Sequence, residues 1–123
     1  MNNFRERIRP AIEHELEQAQ QLEATGDLER AFTHLERAHV LGQQDTYWHV
    51  RIHTEMLRLG AKLGNPREVA GQVLRIAGAA TKTPLGIYPT GNTGGANISP
   101  IQPLPIPKDL QAIIDAAKHS THD

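Results

Sequence analysis

The sequence predicts an all-α fold, an up-and-down helical bundle of four main helices plus a Pro/Gly-rich wrapping loop and a short C-terminal helix. Three observations carry this expectation. Apolar residues recur at three- and four-residue spacing through the first two thirds of the chain. The connections between these stretches are short and hold helix-stop and helix-start residues, which makes successive helices antiparallel neighbours. Residues 83–107 then contain six prolines, four glycines and no charged side chain, so the helical pattern stops there.

Taken in order, the first helix is expected over about 10–24, with Pro10 in its first turn and Ile8, Ile12, Leu16 and Ala19 as its stripe. Gly26-Asp27 closes it. A second helix follows over about 27–41, with Leu28, Phe32 and Leu35 inward and Gly42 in the usual terminal position. Asp45 or Thr46 caps a third over about 46–63. Gly64-Asn65-Pro66-Arg67-Glu68 stops that helix and starts a fourth, about 66–80, whose apolar residues are Val69, Val73, Ile76 and Ala80. The uncharged loop carries Leu85, Ile87, Tyr88, Ile98, Ile101, Leu104 and Ile106, too apolar for a disordered linker, and reads as an ordered wrap over the helices. A last helix, about 108–118, offers Leu110, Ile113 and Ile114 to the same core, and the tail with His119 and His122 is expected to fray. All of this makes one domain, residues 1–123, long enough to bury a core without staples.

Composition narrows the chemistry. With 13 basic and 14 acidic residues the formal net charge is −1, which offers no footprint for nucleic acid or an anionic membrane. No run of about 18 apolar residues exists to span a bilayer. The first ten residues are charged and unlike a secretory signal, so a bacterial-type cytoplasm is the expected location. The absence of cysteine removes disulfides, thiolate chemistry and cysteine-held zinc or iron–sulfur clusters. A transition metal would have to be held by imidazole and carboxylate, which suits zinc or iron first and also copper or nickel.

Seven histidines make that relevant. Glu36 and His39 are three apart before Gly42, and His49 and His53 are four apart after it; both spacings put a pair on one helix face. Stepping about 100° per residue from Trp48 places Ile52, Met56, Leu59 and Leu63 within roughly 0–80°, and His49 and His53 near 100° and 140°, inside a broad apolar arc. Arg51, Glu55, Arg58 and Lys62 fill the wet side. On the second helix His39 falls within about 20° of Leu28, Glu36 at the edge of that face, and His34 away from it toward solvent. Folding the hairpin about Gln43-Gln44 brings His39 level with His49 and Glu36 nearly level with His53, while the first helix brings Glu15 to the height of Glu36. The expected metal ligands are therefore Glu36, His39, His49 and His53, with Glu15 as an addition, a donor set that can leave an open position. Glu-x-x-His is used in pairs by di-iron carboxylate bundles, but it occurs here once at an inward site. Equally, buried histidines can serve packing by bonding a carboxylate or carbonyl.

The run Pro89-Thr90-Gly91-Asn92-Thr93-Gly94-Gly95-Ala96-Asn97 could form an amide nest for phosphate, but it lacks the lysine and the strand–helix setting of a nucleotide loop. Tight turns, with Asn92 and Asn97 bonding their own backbone, are the plainer reading; Asn92 or Thr93 could also support the histidines from behind. Gln72 and Arg75 lie off the apolar face of the fourth helix and read as a solvated edge. Gly71 and Gly78, seven apart on that helix, indicate close approach of the wrap or of a second subunit.

Two resemblances add to this. GDLERAFTHLERAH, after an alanine- and glutamate-rich helix, resembles a tetratricopeptide-type helical pair over about 35 residues, with no second copy at the repeat period. HLERAHVLGQ, HVRIH and PTGNTGGANIS together resemble an uncharacterised bacterial domain-of-unknown-function family across most of the chain. That likeness implies a small, mostly helical domain and brings no activity with it. The functional expectation is a metal-binding helical protein, a metal handler or a small metalloenzyme with Glu15 or Glu36 as base. Its rival is a tetratricopeptide-like module that docks a protein partner or a second copy as a homo-oligomer and uses its histidines for packing.

Overall fold

A computed structural model describes residues 3–96, 98–99 and 102–119. Asn97, Ile101, His122 and the rest of the expected frayed tail beyond His119 lie outside the described residues. Five α-helices run in order: α1 (Asn3–Ala24), α2 (Leu28–Gly42), α3 (Thr46–Lys62), α4 (Pro66–Lys82) and α5 (Lys108–His119), with a 3-10 turn at Thr83–Leu85. No strand occurs among the described residues. Each of the first three helices packs on the next, and α5 closes against α1 and α2. The all-helical bundle follows the periodicity, and the described residues of the wrap lie along α4 and the end of α2.

Three side chains start the helices where the sequence expects. Asp27 accepts from Arg30 N–H, Asp45 from Trp48 N–H and Asn65 from Glu68 N–H, each satisfying an orphan donor of a first turn. One boundary differs: α1 begins at Asn3, seven residues before Pro10, and runs through that proline. Those extra turns are held by Ile8, which is fully buried, and by Arg5, whose carbonyl accepts from the Trp48 indole N–H and whose side chain bonds Asp45. Gly42 also has a different role. It is the last helical residue, and a Cβ there would come within 2.8 Å of Trp48 Cβ and 3.0 Å of Ile12 Cδ1, so the glycine admits close packing of α1, α2 and α3.

The core is a continuous layer of Ile8, Ile12 and Leu16 from α1, Leu35 and Leu41 from α2, Trp48, Ile52, Met56 and Leu59 from α3, and Leu110 and Ile114 from α5. Burying each of the larger aliphatic side chains contributes about 1.5–3 kcal/mol before conformational entropy is counted. Helix α4 departs from expectation. Its buried residues are Glu68, Gln72 and Ala79, while Val73 and Leu74 are exposed. A polar stripe at helical spacing, not the apolar one, faces inward, because what it meets is the wrap and the histidines of α2 and α3.

Candidate metal centre

His39 near the end of α2, and His49 and His53 one turn apart on α3, converge in the layer where α4 and the wrap meet the bundle. All three are buried. The Nε2 of His39 lies 3.1 Å from Nε2 of His49 and 3.1 Å from Nε2 of His53. Ring centroids are 4.6–4.9 Å apart. One nitrogen from each ring lies within 4.8 Å of the others, a grouping that could hold a metal ion.

The outward nitrogens are each bonded. His39 Nδ1–H donates to the Asn92 carbonyl at 2.7 Å, an atom that can only accept. Gln72 gives its amide nitrogen to the Glu68 carboxylate and to the Gly94 carbonyl, so its oxygen is what faces His53 Nδ1 at 2.6 Å, and that nitrogen also carries a proton. His49 Nδ1 bonds the Thr83 hydroxyl at 2.7 Å, which can either donate or accept. Two of the three inward nitrogens, on His39 and His53, are therefore bare lone pairs when the rings are neutral. Burial keeps them neutral. It holds the His39 pKa well below the ordinary value, helped by the neighbouring rings; burial likewise takes His49 down to about 3 and His53 to about 4. His49 can offer at most one proton to His39. Between His39 and His53 no proton is available, and two lone pairs meet at hydrogen-bond distance.

Such an arrangement suits a cation. Nitrogens roughly 2.0–2.1 Å from one tetrahedral zinc lie about 3.3 Å from each other, within a few tenths of an ångström of the two spacings from His39 to its neighbours. Neutral imidazole suits zinc, copper, iron and nickel alike. In front of the three rings lies a cavity of about 360 Å³, walled by Leu74, Arg75, Gly78, Lys82, Ile87, Tyr88 and Pro89.

The two expected carboxylates lie elsewhere. Glu15 bonds His34 at 2.7 Å and Arg37 at 3.2 Å on the α1–α2 face. His34, expected in solvent, is half-buried in that pair. Glu36 is half-buried and lines a second cavity with Phe32, Leu63 and Glu68; burial and the Glu68 charge raise its pKa to about 7. The side chain that bonds His53 from outside the cluster is Gln72 of α4 instead.

The wrap completes the centre. Gly91 N–H donates to Gln43 Oε1, and Gln43 Nε2 donates to the Pro89 carbonyl. Asn92 donates to the Ser99 and Gln102 carbonyls, and its own oxygen accepts from Gly94 N–H. Ala96 N–H donates to Glu68 and Arg75 to the Ile98 carbonyl. Asn92 thus both folds the turn and supports His39. Gly94 is required twice: its φ is +88°, and a Cβ would sit 2.7 Å from His39 Cδ2. Gly71 receives the wrap, since a Cβ there would meet Ala96 at 2.7 Å, whereas Gly78 has open space and borders the cavity. Gln72 and Thr83 are the residues that apolar periodicity missed. The legible signal for Gln72 was the spacing Glu68, Gln72, Arg75, Ala79, a helical stripe in its own right.

Among the described residues, no helix is long and apolar enough to cross a membrane. No curated protein and no solved structure matches the chain. A family model described as "Protein of unknown function (DUF3703)" matches residues 6–114. Most of the bundle and all three clustered histidines fall inside that match, and the chain belongs to this family.

Proposed function

We propose that this protein binds one divalent transition metal through the Nε2 atoms of His39, His49 and His53. The observation that carries the reading is the His39–His53 contact at 3.1 Å, in which both Nδ1 protons are committed elsewhere and no hydrogen separates the inward nitrogens. A cation relieves that repulsion. A purely structural histidine pair would place a donor against an acceptor. Zinc and ferrous iron head the order of expectation, followed by copper and nickel. Asn92, Thr83 and Gln72 orient the three rings, as hydrogen-bonded partners behind metal ligands do.

Three imidazoles leave a coordination position facing the cavity, the pattern of open rather than closed zinc sites. A metal there would act as a Lewis acid toward a bound oxygen. The chain's own part is to hold three neutral rings, those of His39 and His53 in fixed tautomers, and to present Arg75 and Lys82 at the cavity wall. Among the described residues no carboxylate lines that cavity, which speaks against Glu15 or Glu36 as its base.

Elemental analysis of untagged protein at known concentration tests the reading. About one equivalent of metal is expected, with near-complete loss in His49→Ala and His53→Ala while helical circular dichroism is retained. Absence of metal as purified, together with no thermal shift on adding zinc, iron, copper or nickel, overturns it and leaves a helical interaction module with packed histidines.

A further inference from the structure

The cavity over the histidines has a composition that selects its occupant. Its volume, about 360 Å³, equals that of roughly a dozen waters in the liquid. Leu74, Ile87, Tyr88 and Pro89 form an apolar wall, and Leu74 and Ile87 are 74% and 57% exposed at the mouth. Its two charged lining residues are both cations, Arg75 and Lys82. Lys82 makes no ion pair among the described residues. The Arg75 guanidinium gives its terminal nitrogens to the Gly71 and Ile98 carbonyls and leaves a buried Nε–H with no partner. Glu68, the carboxylate whose charge acts on Arg75, accepts from Gln72 and from Ala96 N–H.

Pockets of this size with apolar walls and a few convergent polar groups take small organic ligands. A lysine with no ion pair among the described residues, beside a metal with an open position, adds a requirement for an anionic head. We infer that the site binds a small organic monoacid, with its carboxylate toward the metal and Lys82 and its apolar body against Leu74, Ile87 and Tyr88. A bare inorganic anion would leave the apolar wall wet, and an uncharged apolar molecule would leave the cations unanswered. This rests on the metal reading above.

The test uses the full chain loaded with one equivalent of cobalt(II), whose visible spectrum reports both coordination and its change. Benzoate is titrated against acetate and benzamide. Benzoate is expected to perturb the cobalt bands at a concentration at least about tenfold below acetate, from burial of its ring, with benzamide weaker than benzoate. The surface variants Leu74→Ser and Ile87→Ser should shrink the benzoate preference to under about threefold without releasing cobalt. Lys82→Gln should weaken both acids and leave their ratio unchanged. Equal half-saturation for benzoate and acetate, or bands that neither acid moves while cobalt stays bound, overturns the inference and spares the metal site. A protein that develops no cobalt bands overturns both, and is recognised before any acid is added.

Discussion

The Nε2 atoms of His39 and His53 stand 3.1 Å apart while each ring hands its Nδ1 proton outward, to the Asn92 carbonyl and the Gln72 amide oxygen. On the metal reading, that relationship makes the amide of Gln72 a determinant of metal affinity. Gln72→Leu removes the acceptor for His53 and the donor for Glu68. Metal affinity is expected to fall by about 10–100-fold, and apo stability by about 1–3 kcal/mol from the buried groups left unpaired. Competition titration against a chelator, with urea denaturation of the apo form, measures both; unchanged affinity would detach Gln72 from the site.

Gly94 gives a sharper steric probe. Alanine there must tolerate φ +88° and displace the His39 ring, which lies 2.7–3.0 Å from the new Cβ. Gly94→Ala should lower metal affinity by at least about tenfold, as loss of ligand positioning does, with little loss of helical signal. Gly78→Ala serves as the control, since its Cβ meets nothing within 4 Å.

Protonation gives a third expectation, with opposite signs at two places. The histidines titrate in the folded apo protein far below their ordinary value, His49 near 3 and His53 near 4. Between about 6.5 and 4 the unfolded chain takes up protons that the folded chain refuses, so apo stability falls as pH drops through that window. Urea midpoints from pH 7 to pH 5 should show the decline, and His53→Gln should flatten it. A slope unaltered by that substitution would mean that His53 does not resist protonation.

Glu36 works the other way. Its folded pKa is raised to about 7 by burial and by Glu68, above the ordinary carboxylate value of 4.5. The folded state therefore holds the extra proton between about 4.5 and 7, and its advantage is lost as pH rises through 7. Glu36→Gln should raise the Tm at pH 8 by a few degrees at most, because solvent screens a half-exposed group, and should leave metal stoichiometry unchanged. A drop in metal content on this substitution would return Glu36 to the ligand set.

Metal removal supplies the last. At ligand concentrations about a hundredfold above Kd, binding adds about 2.7 kcal/mol to folding, on the order of 10 °C in Tm for a chain of this size. Chelation should reverse it, and His49→Ala should abolish the difference.

Much of the bundle was legible because α1, α2, α3 and α5 bury apolar stripes, and the inward turn of His39, His49 and His53 follows from sharing those faces. Helix α4 was not, because it buries Glu68 and Gln72 against polar partners supplied by the wrap, and apolar periodicity is blind to such a face. Glu15 and Glu36 were drawn to the histidines by axial height and by positions at the edges of their apolar faces. Arg37 holds Glu15 away from them, and Glu36 faces Glu68 across another cavity. The early start of α1 was hidden by Pro10, whose place as a first-turn residue is a preference that Ile8 and Arg5 override.

The Thr83 hydroxyl and the Asn92 carbonyl reach their histidines across 34 and 53 residues of sequence. During synthesis, the α2–α3 hairpin leaves the ribosome carrying all three imidazoles, yet nothing behind them sets which nitrogen is bare. That selection waits for the segment around Gly94. On the metal reading, tight uptake waits until the segment around Gly94 has been added, and a truncated product ending before residue 92 would expose three histidines without a defined centre.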